Sequence, residues 1–292
     1  MPNLAHSQNF IKSAALMRKL IQKANISSDD HIIEIGAGKG IITDALARSA
    51  KKVTAIEYDS KLYEELLRKH QWNNVEYIHA DFLKYPLPKK GSYKVFSNIP
   101  FQITADIVTK LTTRDNSPEE IFLVLQKEAA KKFCGLPFQK YEGLRAALLK
   151  PQYEMRILHN FAPTDFTPAP KVEIVLLHFK KRHMDMSPKE FREYKDFVSF
   201  FYAAGRGNTA KERLSIVFSQ KQISRLAKEY HFDARQSYAM ISAVQWERLY
   251  CYSQTGLDAK RKELIKFSYR KQLKQQSKLK KQHRTRNVPT SP

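Results

Sequence analysis

Asn98, Ile99, Pro100 and Phe101 stand in a row that combines neutral acceptors, a stiff backbone and a flat ring. Asn98 offers a carbonyl oxygen that can hold an N–H without carrying charge. Pro100 fixes its own φ and restricts Ile99, so the neighbouring backbone carbonyls can be aimed and held. Phe101 supplies a face on which a base can stack. Together these groups suit chemistry on an amine attached to a flat base. An ordinary strand-to-helix turn with Phe101 in the core uses the same residue types, so the run gains meaning only from its company.

That company is a second set of residues at strand ends. Glu34-Ile35-Gly36-Ala37-Gly38-Lys39-Gly40 follows an apolar run and opens a helical one. Glycines there let the backbone approach a ligand closely, with Gly36 and Gly38 the candidate contacts. Glu57 ends the next apolar run, where an acid is placed to hold ribose hydroxyls. Asp81 ends the third and can accept from an exocyclic amine. Lys39 is followed by neither Ser nor Thr, which departs from a P-loop, and the turn is shorter than the dinucleotide fingerprint.

The elements that must position these groups read as strands alternating with helices. Strand candidates are 31–35, 53–57, 75–79, 93–96 and 121–125, with later ones at 153–161 and 172–179. Helical spacing marks 41–50, 62–67, 103–111 and the basic stretch 127–133, and Ser13 is a plausible N-cap for a helix before them. Alternation of this kind predicts an α/β fold with a mainly parallel sheet, whose ligands lie at the carboxyl ends of the strands. At Lys180 strand signals stop and a mostly helical region follows. The expected organisation is a first domain over 1–180, a smaller all-α domain over 181–253 and a basic tail over 254–292. The start of the tail suits a basic helix, and Gln282 to Pro292 has little to bury.

Composition narrows the partners. The 292 residues carry 51 Lys and Arg against 29 Asp and Glu, a net +22. Twelve of those cations, against two acids, fall in residues 258–292. Such an excess points to a polyanion, and nucleic acid is the first candidate. No apolar run is long enough for a membrane span, and the N-terminus lacks the order of a signal peptide. Cys134 and Cys251 are far apart without metal-ligand spacing, and the nine His form no ligand pattern. A cytoplasmic chain with no metal is therefore expected.

The order Gln8-Asn9-Phe10, Glu34 to Gly40, Glu57, Asp81-Phe82-Leu83, Asn98-Ile99-Pro100-Phe101 and Phe166-Thr167-Pro168-Ala169-Pro170-Lys171-Val172 resembles the ribosomal RNA adenine N6-dimethyltransferases. The resemblance spans roughly residues 7–252 and is nearest to the Erm branch. Members of that branch modify one adenine in the peptidyl-transferase loop of 23S rRNA and confer macrolide, lincosamide and streptogramin B resistance. It implies a Rossmann-like class I methyltransferase sheet with a smaller C-terminal helical domain. It implies S-adenosylmethionine as cofactor, held by Asn9, Ile11, Gly36, Gly38, Glu57, Asp81 and Asn98, with Glu57 on the ribose and Asp81 on the adenine amine. Ser97 departs from the Gly of many relatives, which implies a stiffer loop.

In this reading Asn98 and the Ile99 carbonyl hold the target amine, Pro100 fixes the loop, Phe101 stacks on a flipped base and Phe166 closes its other face. The expected partner is large-subunit rRNA before full assembly, met by a monomer without membrane contact. A small-subunit rRNA dimethyltransferase and a non-catalytic RNA-binding protein are the alternatives.

Overall fold

The computed structural model describes residues 9–113, 116–203 and 207–275. Gln8 of the arm and residues 282–292 of the tail lie outside the described residues. The chain divides into two units. The first comprises Met1–Cys134 with Tyr153–Arg182, and the second Gly135–Gln152 with His183–Pro292.

The first unit opens with β1 (Phe10–Ile11) and α1 (Ala14–Lys23), whose N-cap Ser13 accepts from the Leu16 amide at 3.1 Å. Then come β2 (His31–Ile35), α2 (Ile41–Ala47), β3 (Lys52–Glu57), α3 (Ser60–Lys69) and β4 (Val75–His79). After a crossing follow β5 (Lys94–Asn98), α4 (Thr104–Thr112), β6 (Glu120–Gln126) and α5 (Lys127–Cys134). β7 (Tyr153–Phe161), β8 (Phe166–Thr167) and β9 (Ile174–Lys181) complete it. The expected late strand 172–179 is shifted to Ile174–Lys181, because Val172 is exposed while the run from Ile174 is buried.

Seven strands form one sheet in the order β4-β3-β2-β5-β6-β9-β7. β4, β3, β2, β5 and β6 pair in parallel, and β9 pairs antiparallel with both β6 and β7. The chain winds outward from β2 to β4, then returns to start β5 beside β2. This reversal opens a crevice at the carboxyl ends of β2 and β5, where such sheets bind ligands. Helix cover on the faces explains why β2, β3, β6 and β9 are buried almost along their length and read as apolar runs. Met17, Leu20, Leu46, Ile32, Phe96 and Phe122 belong to the core so formed. A second, two-stranded sheet pairs β1 with β8, Phe10 opposite Thr167 and Ile11 opposite Phe166.

The second unit is helical: α6 (Leu144–Leu149), α7 (Pro188–Ala203), α8 (Ala210–Leu214), α9 (Gln220–Tyr230), α10 (Ala243–Gly256) and α11 (Ala259–Ile265). Thr209/Glu212, Ser219/Gln222 and Ser242/Gln245 are capping boxes that start α8, α9 and α10. Trp246, Phe197, Phe201, Phe218 and Leu226 fill the core. Two expectations are corrected here. Residues 135–152, expected in the first domain, belong to this unit: Ala147 is fully buried in its core, and its carbonyl accepts from the Tyr194 hydroxyl at 2.8 Å. The expected boundary between 253 and 254 falls inside α10, and Leu257 and Ile265 carry the same core into the expected tail. Among the described residues no helix is long and apolar enough to cross a membrane.

Ile265→Ala should therefore lower the unfolding free energy by about 2–4 kcal/mol, the cost of emptying a packed isoleucine site. Urea denaturation followed by tryptophan fluorescence reads this. A wild-type midpoint would mean that α11 contributes nothing to the helical core.

Candidate active site

The site grows from the turn after β2. Gly36, Gly38 and Gly40 all have positive φ, at 71°, 58° and 81°. Two of them have a further steric reason. A Cβ on Gly38 would stand 3.2 Å from the Phe10 ring, and one on Gly40 would stand 2.6 Å from the His70 ring. The turn is braced from below by Glu34, which is fully buried on β2 and accepts from the Thr43 hydroxyl of α2 at 2.6 Å. The other Glu34 oxygen has no hydrogen-bond partner. Burial pushes this carboxyl up to about 8, against the opposing pull of the Thr43 hydrogen bond, so the acid is neutral over most of the physiological range.

At the end of β3, Glu57 is 3% exposed, and its carboxylate gathers three backbone amides. Oε2 accepts from Gly38, and Oε1 from Tyr58 and Asp59, each at 2.8 Å. The acid thus locks the glycine turn to the β3–α3 turn, and about one of a carboxylate's four lone-pair directions remains for a ligand hydroxyl.

Across the crevice, the Ser97 hydroxyl of β5 donates to the Ile35 carbonyl of β2, tying the two strands at the switch point. Asn98 follows. Its amide nitrogen donates to the Asn9 carbonyl at 2.8 Å. This bond fixes which end of the amide faces where and leaves the carbonyl oxygen as the acceptor. The Pro100 carbonyl accepts from the Ile103 amide at 3.2 Å, closing a short turn that carries Phe101. The Ile99 side chain is buried.

One cleft, with about 630 Å³ of free space open to solvent, collects these groups. Asn9, Ile11, Gly36, Gly38, Glu57, Asn98, Ile99, Pro100 and Phe101 all line it. No atom lies within 4 Å of where a Gly36 Cβ would stand, so the cleft is open over that turn.

Two expected residues stand apart. Asp81 is half-buried and not in the cleft's lining; its carboxylate accepts from the Leu83 amide at 2.9 Å. Phe166 is 2% exposed and packs edge-on against Phe161, with ring centroids 5.3 Å apart. Its ring is core and offers no face to a base. What Phe166 does is hold β8 against β1 and so place Asn9 and Ile11 in the cleft. Phe10, Lys39, Ile41 and Ile42 also line the cleft, and sequence reasoning missed them. Phe10, in the Gln8-Asn9-Phe10 run, and Lys39, in the Glu34–Gly40 run, carried a signal; Ile41 and Ile42 carried none beyond opening a helix. Lys39 sits over the Phe10 ring, 4.9 Å from its centroid.

Comparison with known proteins follows this geometry. A family model described as ribosomal RNA adenine dimethylase matches residues 3–253. An rRNA adenine N-6-methyltransferase of Bacillus anthracis is 31% identical over 252 residues, covering 84% of both chains. One from Enterococcus faecalis is 33% identical over 198 residues, covering 68% of this chain and 78% of its own. Among solved structures, the 23S rRNA methyltransferase ErmE superposes with a TM-score of 0.72 at 23% identity, covering 83% of this chain and 98% of its own. A dimethyladenosine transferase from Plasmodium falciparum gives 0.70 at 20%, covering 85% and 98%. These two structures speak for the fold alone.

The buried Glu34 makes a pH prediction. Between the ordinary glutamate value and about 8 the folded chain holds a proton that the unfolded chain has released. Stability should therefore fall as pH rises through that window and level off above it. Glu34→Gln keeps an acceptor for Thr43 and removes the titration. Its unfolding free energy, measured by urea between about pH 5 and pH 8, should be flatter than wild type by a few kcal/mol. Equal slopes in the two proteins would mean Glu34 is ionised when folded.

Proposed function

Since the chain belongs to the ribosomal RNA adenine dimethylase family, we propose that its target is one adenine in the peptidyl-transferase loop of 23S rRNA. It is an rRNA adenine N6-methyltransferase, and its cofactor is S-adenosylmethionine. The cleft suits that cofactor. Glu57 has a lone pair left for a ribose hydroxyl, the Gly36–Gly38 turn presents bare backbone, and Asn9, Ile11 and Asn98 close the far side. Asp81 is the acceptor for the adenine amine in this reading, through the carboxylate oxygen that does not bond the Leu83 amide.

The single observation that carries the chemistry is the Asn98–Asn9 hydrogen bond. S-adenosylmethionine, when bound, supplies a methyl group on a positively charged sulfur. The adenine amine is a poor nucleophile because its lone pair is delocalised into the ring. Asn98, with its nitrogen committed, directs its oxygen at one N–H, and the Ile99 carbonyl is the acceptor for the other. Two acceptors placed this way favour the pyramidal nitrogen of the transition state over the flat ground state. Phe101 stacks on the base once it leaves its helix. Position and electrostatics then account for most of the rate, and no strong base is required. Phe166 takes no part in stacking and acts by holding the arm.

Support for the large-subunit target is the motif order, Asn98 to Phe101 in company with the arm and the Phe166–Val172 run, which is nearest the Erm branch. Resistance to macrolides, lincosamides and streptogramin B goes with that target. We place the work on rRNA before full subunit assembly, by a monomer in the cytoplasm. The cleft is lined by the first unit of one chain. In this division of labour the first unit binds cofactor and the basic helical unit binds RNA.

Primer extension on rRNA from cells expressing the protein tests the target. A stop in the peptidyl-transferase loop is expected; a stop near the end of small-subunit rRNA would reassign it. Asn98→Ala should abolish most methyl transfer to isolated 23S rRNA, and wild-type turnover would remove the mechanism. Phe101→Ala should weaken RNA-dependent turnover by about 1–3 kcal/mol, the worth of one stacked base, and leave cofactor affinity nearly unchanged. An unaltered rate at saturating RNA would sink that role.

A further inference from the structure

The matched family model ends at residue 253, yet the described chain continues in ordered helix to residue 275. This extension is held to α7 by a specific device. The Asp196 carboxylate accepts from the Phe267 amide at 2.9 Å and the Tyr269 amide at 3.0 Å. Lys195 lies over the Tyr269 ring, 5.3 Å from its centroid. Ile265 and Ser268 are buried beneath the turn. The turn thus orders a helix over residues 268–275 and gives it a defined inner face.

Its outer face is chemically distinct. Phe267 is 59% exposed, with φ at +64°, a conformation that bulky residues seldom adopt. Arg270, Lys271 and Lys274 lie in the helix that this turn opens, where spacings of three and four residues set them on one face. All of them are exposed. An exposed aromatic ring in a strained turn, at the start of a helix that carries exposed cations, is an arrangement that suits unpaired nucleic acid. The ring takes a base, and the cations take the phosphates on either side.

We propose that Phe267 with Arg270, Lys271 and Lys274 is a second RNA-binding site, specific for single-stranded RNA. Asp196 is its positioning residue. The inference rests on the chain acting on ribosomal RNA. Leu264 and Leu273 are exposed as well, so binding to an anionic membrane surface is the competing outcome of the test.

Full-length protein and Phe267→Ala, Phe267→Gly and Phe267→Trp variants would be titrated with a short unstructured oligoribonucleotide and with a hairpin duplex of equal length. Gly relieves the positive φ, so that variant stays folded even where Ala is strained, and a thermal melt checks each. The Ala and Gly variants should bind the single strand about tenfold more weakly and the duplex as wild type, while Trp restores affinity. Arg270→Ala with Lys271→Ala should make the dependence of log affinity on log salt shallower by roughly 1.4, and Phe267→Gly should leave that slope alone. Asp196→Ala should reproduce the loss at Phe267, and Asp196→Asn should retain part of the affinity.

Equal single-strand affinity in wild type and Phe267→Gly, or equal loss on single strand and duplex, overturns the proposal. So does binding of the wild type to phosphatidylglycerol vesicles that Phe267→Gly abolishes while its RNA affinity is unchanged. Methylation of 23S rRNA by the wild type, run in parallel, separates the cases. Its absence would fail the functional reading, whereas its presence with an indifferent Phe267 fails only this site.

Discussion

The buried carboxylate of Glu57 is the constraint on which the cofactor half of this molecule depends. A charge taken out of water is costly unless it is fully hydrogen-bonded. Here the bonds come from the Gly38, Tyr58 and Asp59 amides, that is, from two different strand-to-helix turns. The acid therefore sets the shape of both turns at once. Glu34 works on the same turn from the opposite side, as a neutral acid bonded to Thr43. Glu34 and Glu57 stand on the neighbouring strands β2 and β3, and burial keeps Glu34 neutral beside the hydrogen-bonded Glu57.

The other half of the cleft depends on a chain segment that is not in the main sheet. The arm carrying Asn9 is stitched to residues 165–167 by the β1–β8 pairing and by the Lys12 amide on the Asp165 carbonyl at 2.9 Å. From there the Asn9 carbonyl orients Asn98. Phe166 matters to this arrangement because its buried ring fixes β8, and through β8 the arm. Chemistry at Asn98 thus rests on packing at a residue more than sixty positions downstream. The Ser97–Ile35 bond keeps the two banks of the crevice in register while the arm closes it.

The helical unit follows a different logic. Its capping boxes are local, and its aromatic core of Phe197, Phe201, Phe218 and Trp246 binds elements far apart in sequence. Burial of Leu257 and Ile265 recruits the start of the basic extension into that core. Lys260, Lys266, Arg270, Lys271 and Lys274 stay in solvent, which is where a cation keeps its hydration until a phosphate replaces it. Order in the backbone and exposure of the charge are compatible because the anchoring is done by apolar side chains and by Asp196.

The amino-acid sequence by itself determined the alternating fold, the glycine turn, Glu57 and the Asn98–Phe101 loop. Each is written locally: an apolar run, a turn residue and a polar group at the strand's end lie within a few positions of one another. Tertiary structure alone decided the rest. Phe166 reads as a free aromatic in a proline-rich run, and only its pairing with an arm about 155 residues earlier shows it to be core. Residues 135–152 read as part of the first domain because α6 is too short to declare a partner, and burial of Ala147 assigns them. The docking of the extension hangs on Asp196, 71 and 73 residues from the amides it binds. Contacts of that separation leave no periodic trace in a sequence, because the chain between them is free to vary without altering the two ends.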